Sequence, residues 1–117
     1  MKDTAKRVLL ACALLSACDP ALRVAGTIVD RDGRAVPGAD IVYECPERPG
    51  RVAHARSGSY GEFVVPVDIG CVYAGCTLSV SVPNGKSVTA KAMDSCVEKR
   101  LACSKGCSHV EARIVAP

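Results

Sequence analysis

The sequence predicts an all-β domain, a seven-stranded Greek-key β-sandwich stapled by disulfides. Three observations predict it. Short β-rich or alternating segments recur about every 8–12 residues. Glycine and proline turn signals separate them. Eight of the 117 residues are cysteine, and most of these fall in a part of the chain that reads as exported. That length allows one compact domain, with no internal repeat or low-complexity tract.

Residues 23–29 are the first strand, rich in β-branched residues (Val24, Thr27, Ile28, Val29). Asp30-Arg31-Asp32-Gly33 and Pro37-Gly38 are turns. Residues 40–45 form a second strand, and Pro46 to Gly50 a loop. Residues 51–56 alternate polar and apolar as a third. Ser57-Gly58-Ser59-Tyr60-Gly61 is a turn before the short fourth strand, residues 62–65, which Pro66 ends. Residues 76–82 alternate, with Leu78, Val80 and Val82 on one face and Thr77, Ser79 and Ser81 on the other, as in a half-buried strand. Pro83-Asn84-Gly85-Lys86 is the strongest hairpin signal, with residues 87–92 as the partner strand. Residues 93–108 admit a helical turn or an irregular loop. Residues 109–115 close the chain, Val110, Ala112 and Ile114 alternating with Glu111 and Arg113.

Residues 1–17 stand apart. Lys2, Lys6 and Arg7 precede Val8–Ala17, an uncharged and mostly apolar run. A membrane-spanning helix needs about 20 apolar residues, so this run reads as a secretory signal peptide. Leu15-Ser16-Ala17-Cys18 resembles the bacterial lipobox. That resemblance implies a diacylglyceryl thioether on Cys18, cleavage before it and acylation (typically palmitate) of the new amino group. Residues 18–22 would be a lipidated tether and 23–117 the domain. Asp19 resembles an inner-membrane retention signal of enteric bacteria. The expectation is a lipoprotein of the bacterial cell envelope, in the inner or outer membrane. An ordinary signal site is the competing reading.

Loss of Lys2, Lys6, Arg7 and Asp3 with the signal reduces the formal charge from the +3 of the whole chain to +1. No nucleic-acid or other acidic partner is implied. With Cys12 removed and Cys18 lipidated, six cysteines remain: Cys45, Cys71, Cys76, Cys96, Cys103 and Cys107. An even number in an exported domain predicts three disulfides, each contributing about 2–4 kcal/mol. Spacing leaves the pairing open. Cys71 and Cys76 flank a loop that a local bridge would close, and at least one of Cys96, Cys103 and Cys107 must bridge outside its own segment. The alternative is zinc or thiol chemistry, with Cys71-x₄-Cys76, Cys103-x₃-Cys107 and the neighbouring His109 as ligands. His54 and His109 otherwise read as exposed strand residues, and Asp30 and Asp32 as turn residues lacking the other ligands of a calcium loop.

The stretch Val24-x-Gly26-x-Ile28-x-Asp30-x-x-Gly33-x-x-Val36-Pro37-Gly38-Ala39-x-Ile41 resembles the start of carboxypeptidase regulatory-like domains. Ser57-Gly58-Ser59-Tyr60-Gly61-Glu62-Phe63 and Leu78-x-Val80-x-Val82-x-x-Gly85 resemble later parts of that pattern. The likeness covers residues 22–92 and then only a final strand, and Ala35 stands where many members have proline. It implies a transthyretin-like (prealbumin-like) sandwich of about seven strands, non-catalytic and without a cofactor. Val24, Ile28, Ile41, Phe63, Val80 and Val82 would fill its core, with Phe63 at the centre.

The function expected is a membrane-anchored, non-enzymatic binding or structural module whose partner is an envelope protein. The cysteine-rich segment is the first candidate surface. A glycan or peptidoglycan module is the alternative, and its aromatic platform would have to come from Tyr43, Tyr60 or Tyr73. The anchor is directly testable. Intact mass of protein extracted from native membranes, alkylated without reduction, should begin at Cys18, carry a lipid increment and show no alkylated cysteine; a lipid-free mass removes the anchor.

Overall fold

The computed structural model describes residues 23–46, 52–66, 71–99, 103 and 106–117. Two four-stranded sheets pack face to face. Sheet 1 has the order β4-β1-β8-β7 and sheet 2 the order β3-β2-β5-β6. The strands are β1 Arg23–Val29, β2 Asp40–Glu44, β3 Val52–Arg56, β4 Glu62–Val65, β5 Thr77–Ser81, β6 Ser87–Lys91, β7 Cys96–Glu98 and β8 His109–Val115. All pairings are antiparallel except β1 with β8, which run parallel in register from Arg23↔His109 to Val29↔Val115.

Among the described residues there are eight strands, where the sequence predicts seven. The addition is β7, three residues long and joined to β8 with a register shift between Cys96 and Glu98. Its sequence carries no alternation to signal a strand. It is held by a cross-link, Cys96–Cys107, and by the Glu98 carbonyl, which accepts from both the backbone N–H and the hydroxyl of buried Ser108 at 2.9 Å. The helical turn admitted for this stretch is a 3₁₀ turn at Ala92–Ser95.

The core lies between the sheets. Sheet 1 contributes Val24, Ile28, Phe63, Val65, Val110 and Ile114, and sheet 2 Ile41, Tyr43, Leu78 and Val80. The predicted core residues are all buried, and the alternation in β5 and β8 has the expected faces. Phe63 does not hold the centre alone. Tyr43, fully buried, is the largest such side chain. Its hydroxyl lies 2.9 Å from Cys45 Sγ; a bridged sulfur carries no proton, so the phenol is the donor.

Three turns share one design. In Asp30–Arg34, Gly58–Glu62 and Val82–Lys86, the first carbonyl accepts from a glycine N–H three residues on, at 2.9–3.0 Å. The first N–H donates to the fifth carbonyl at 2.8–2.9 Å. The glycines, Gly33, Gly61 and Gly85, have φ of +83°, +75° and +90°, the left-handed residue of a type I turn followed by a bulge. At Gly61 a side chain would also collide with the Ile28 carbonyl. Buried Ser57 ties two connections together: its hydroxyl donates to the Val36 carbonyl at 2.7 Å and accepts from the Ala39 N–H at 2.8 Å.

Urea denaturation of oxidised protein should rank three variants. Phe63→Ala should cost about 3–5 kcal/mol. Ser57→Ala should cost about 1–3 kcal/mol, because a buried N–H loses its acceptor. Val64→Ala, on the outer face of β4, should change stability by less than about 0.5 kcal/mol.

Candidate functional site

The six cysteines form three bridges: Cys45–Cys76, Cys71–Cys103 and Cys96–Cys107. The local Cys71–Cys76 bridge does not form. Cys76 instead precedes β5 beside Cys45 at the end of β2, because β2 and β5 are paired neighbours with Glu44 opposite Thr77. Cys103 reaches outside its own segment, as one of that group had to. Neighbouring backbone aligns the other two bridges, Val72 and Cys107 exchanging hydrogen bonds at 2.8 and 2.7 Å. In the chain-entropy picture the two long loops, with separations of 31 and 32 residues, give about 4 kcal/mol each and the 11-residue one about 3 kcal/mol.

This pairing bears on the zinc and thiol reading. Every sulfur it would use is in a bridge, so the oxidised protein offers no thiolate from Cys71, Cys76, Cys103 or Cys107. Among the described residues no group of three or more His, Cys, Asp or Glu is placed to hold a metal. His109 is half-buried rather than exposed, its Nε2 3.0 Å from Glu111 Oε1, whereas His54 is exposed on β3. Asp30 is a turn residue: its Oδ1 accepts from the N–H groups of Asp32 and Arg34, both at 2.9 Å. Cys18 and the rest of residues 1–22, where the signal peptide and tether are expected, lie outside the described residues. Among those described, no helix is long and apolar enough to cross a membrane.

The three tyrosines separate. Tyr43 is core and Tyr73 packs partly buried against it, which removes both as open platforms. Tyr60 is 81% exposed at the tip of the turn between β3 and β4. Its N–H donates to Glu62 Oε2 at 3.0 Å, which orders the turn beneath the ring.

Strand direction gives the molecule two unlike ends. At one end β1 and β8 begin, with Val65 of β4 beside Val24. Glu44 and Lys91 lie opposite Thr77 at the corresponding end of sheet 2. All three bridges and the chain's entry into β1 are at this end. The glycine turns after β1, before β4 and between β5 and β6 are at the other. There a cleft of about 270 Å³ opens between Asp30, Val36, Val82, Pro83, Asn84 and Ala116.

One surface was not anticipated. The outer face of sheet 1 holds a groove of about 470 Å³ floored by Ala25 and Thr27 and flanked by Arg23, Glu62, Glu111 and Arg113. Glu111 Oε1 is shared by His109 and by Arg23, whose Nε is 3.8 Å away. The polar positions were visible as the outward half of each alternation. That β1 and β8 lie side by side was not, so these charges could not be assembled from sequence.

Comparison with protein-family models, with curated proteins and with solved structures returns no match. The pairing scheme is itself checkable. Peptide mapping without reduction should recover Cys45–Cys76, Cys71–Cys103 and Cys96–Cys107 as linked peptides, and a Cys71–Cys76 peptide would refute the arrangement.

Proposed function

We propose that the chain is an envelope lipoprotein, anchored through Cys18, whose domain is a non-catalytic, carboxypeptidase regulatory-like sandwich that binds an envelope protein through its turn-bearing end. Strand order supports the transthyretin-like part of this reading. The first strand lies between the fourth and the last, and the second between the third and the fifth. The non-catalytic part is supported by the commitment of the candidate groups elsewhere, the cysteines to bridges and Asp30 to a turn.

The observation that carries the binding reading is the polarity of the domain. The chain enters β1 at the bridged end, and five steps from Cys18 to Arg23 span at most about 17 Å. An anchored domain therefore holds its bridges toward the bilayer and its glycine turns away from it. This reverses the choice of the cysteine-rich segment as the partner surface. The outer end offers Tyr60, the Pro83-Asn84 tip and the cleft beside it. A glycan partner is the second reading, favoured by the one open aromatic ring, Tyr60.

Photo-crosslinking in native membranes separates these. A photoreactive residue at position 60 or 84 should yield a discrete protein adduct, and one at Lys99 should yield none. Adducts from position 99 alone would invert the orientation. Binding to isolated peptidoglycan that Tyr60→Ala abolishes would move the assignment to glycan.

A further inference from the structure

The three bridges are not equivalent in access. Cys45 is 5% exposed and Cys76 not at all, so both members of that bridge are buried. Cys107 is fully buried, but its partner Cys96 is only half-buried, on an edge strand of sheet 1; Cys71–Cys103 likewise pairs a half-buried with a buried cysteine, but it does not fasten an edge strand. Thiol–disulfide exchange requires a thiolate to reach one sulfur of the bridge. Cys96 provides that approach and Cys45–Cys76 does not.

The segment that Cys96 fastens is also lightly tied to the sheet. β7 has three residues, Val97 and Glu98 exposed, and a ladder to β8 broken by a register shift. Beyond Cys96 itself it adds no side chain to the core. Cys45–Cys76, in contrast, joins adjacent strands of sheet 2 inside the core.

We propose that Cys96–Cys107 is a thiol-exchange site, attacked at Cys96 by an external dithiol, and that its opening detaches β7 from β8 while the sandwich stays folded. The dithiol's thiolate bonds to Cys96 Sγ. The Cys96–Cys107 bond breaks and its electron pair leaves on Cys107 Sγ, which takes a proton. The reagent's second thiol loses its proton and displaces Cys96 from the mixed disulfide. The bridge gains two electrons and two protons, and the dithiol is oxidised to its own disulfide. Opening turns the His109–Val110 part of β8 into a sheet edge and exposes Ser108, whose acceptor on Glu98 departs with β7. The inference needs only the oxidised protein and does not depend on the anchor.

The test is graded reduction of the oxidised protein with dithiothreitol, followed by alkylation, peptide mapping and amide hydrogen exchange. Cys96 and Cys107 should become labelled at about one-tenth or less of the reductant concentration that opens Cys45–Cys76. At that stage β7 amides should exchange freely, with β2 and β5 amides still protected. A Cys96→Ser/Cys107→Ser variant should keep the same protected amides. Opening of Cys45–Cys76 together with or before Cys96–Cys107 overturns the proposal, as does loss of β2 and β5 protection in the variant.

Discussion

The parallel ladder between β1 and β8 is the constraint on which the rest of this structure depends. It sets the first strand of the domain against the last over seven paired positions. Parallel neighbours need a long crossover, and here the crossover comprises all the strands between, including the whole of sheet 2. The approach is close enough that a side chain at Gly26 would lie on the Ala112 carbonyl. A glycine in mid-strand costs roughly 0.5–1 kcal/mol relative to alanine, and the fold accepts that cost where the two backbones meet. Because parallel strands start at the same end, the ladder also brings the chain's entry and the cysteine-rich run before β8 to one end of the sandwich.

The two ends are then held by different physics. At the turn end, backbone hydrogen bonds around a left-handed glycine close the connections. At the bridged end the chain travels from β4 to β5 and from β7 to β8 through the two connections that hold four of the six bridged cysteines. Closing a longer loop costs more entropy, though slowly with length. Cross-links offset that cost: Cys71 and Cys76 lie in the first connection, Cys103 and Cys107 in the second. Cys45–Cys76 alone has both members in the core cluster.

The local features were the most legible. β1, β4 and β8 have their predicted limits, and Gly33, Gly61 and Gly85 mark turns that glycine makes possible. Alternation in Leu78, Val80 and Val82 assigned the inward face correctly, since a period of two has one physical reading on a half-buried strand. Pairing was not legible. Which cysteine meets which depends on β2 lying beside β5, a non-local fact, and nothing in Cys71-x₄-Cys76 says that its members leave each other. β7 was missed because a bridge and one carbonyl hold it, with no hydrophobic pattern of its own. Tyr43 was open as a platform residue because a tyrosine on a strand looks the same from sequence on either face; only the sheet's packing buries it.

What a surface can do depends on how much of it is ordered before a partner arrives. Tyr60 projects from a turn closed by two backbone hydrogen bonds and by its own N–H bond to Glu62. The ring has little backbone freedom left to lose, so contact through it carries a smaller ordering cost than contact through a loose loop. The charged groove on sheet 1 is a weaker anchor. Its arginines and glutamates are partly exposed, and Glu111 already engages Arg23 and His109; surface pairs of this kind contribute about 0–1 kcal/mol. A ligand there would exchange existing contacts for new ones, whereas the Tyr60 ring at the turn end is 81% exposed. That asymmetry, more than the size of either cleft, is the ground on which we propose recognition at the end opposite the bridges.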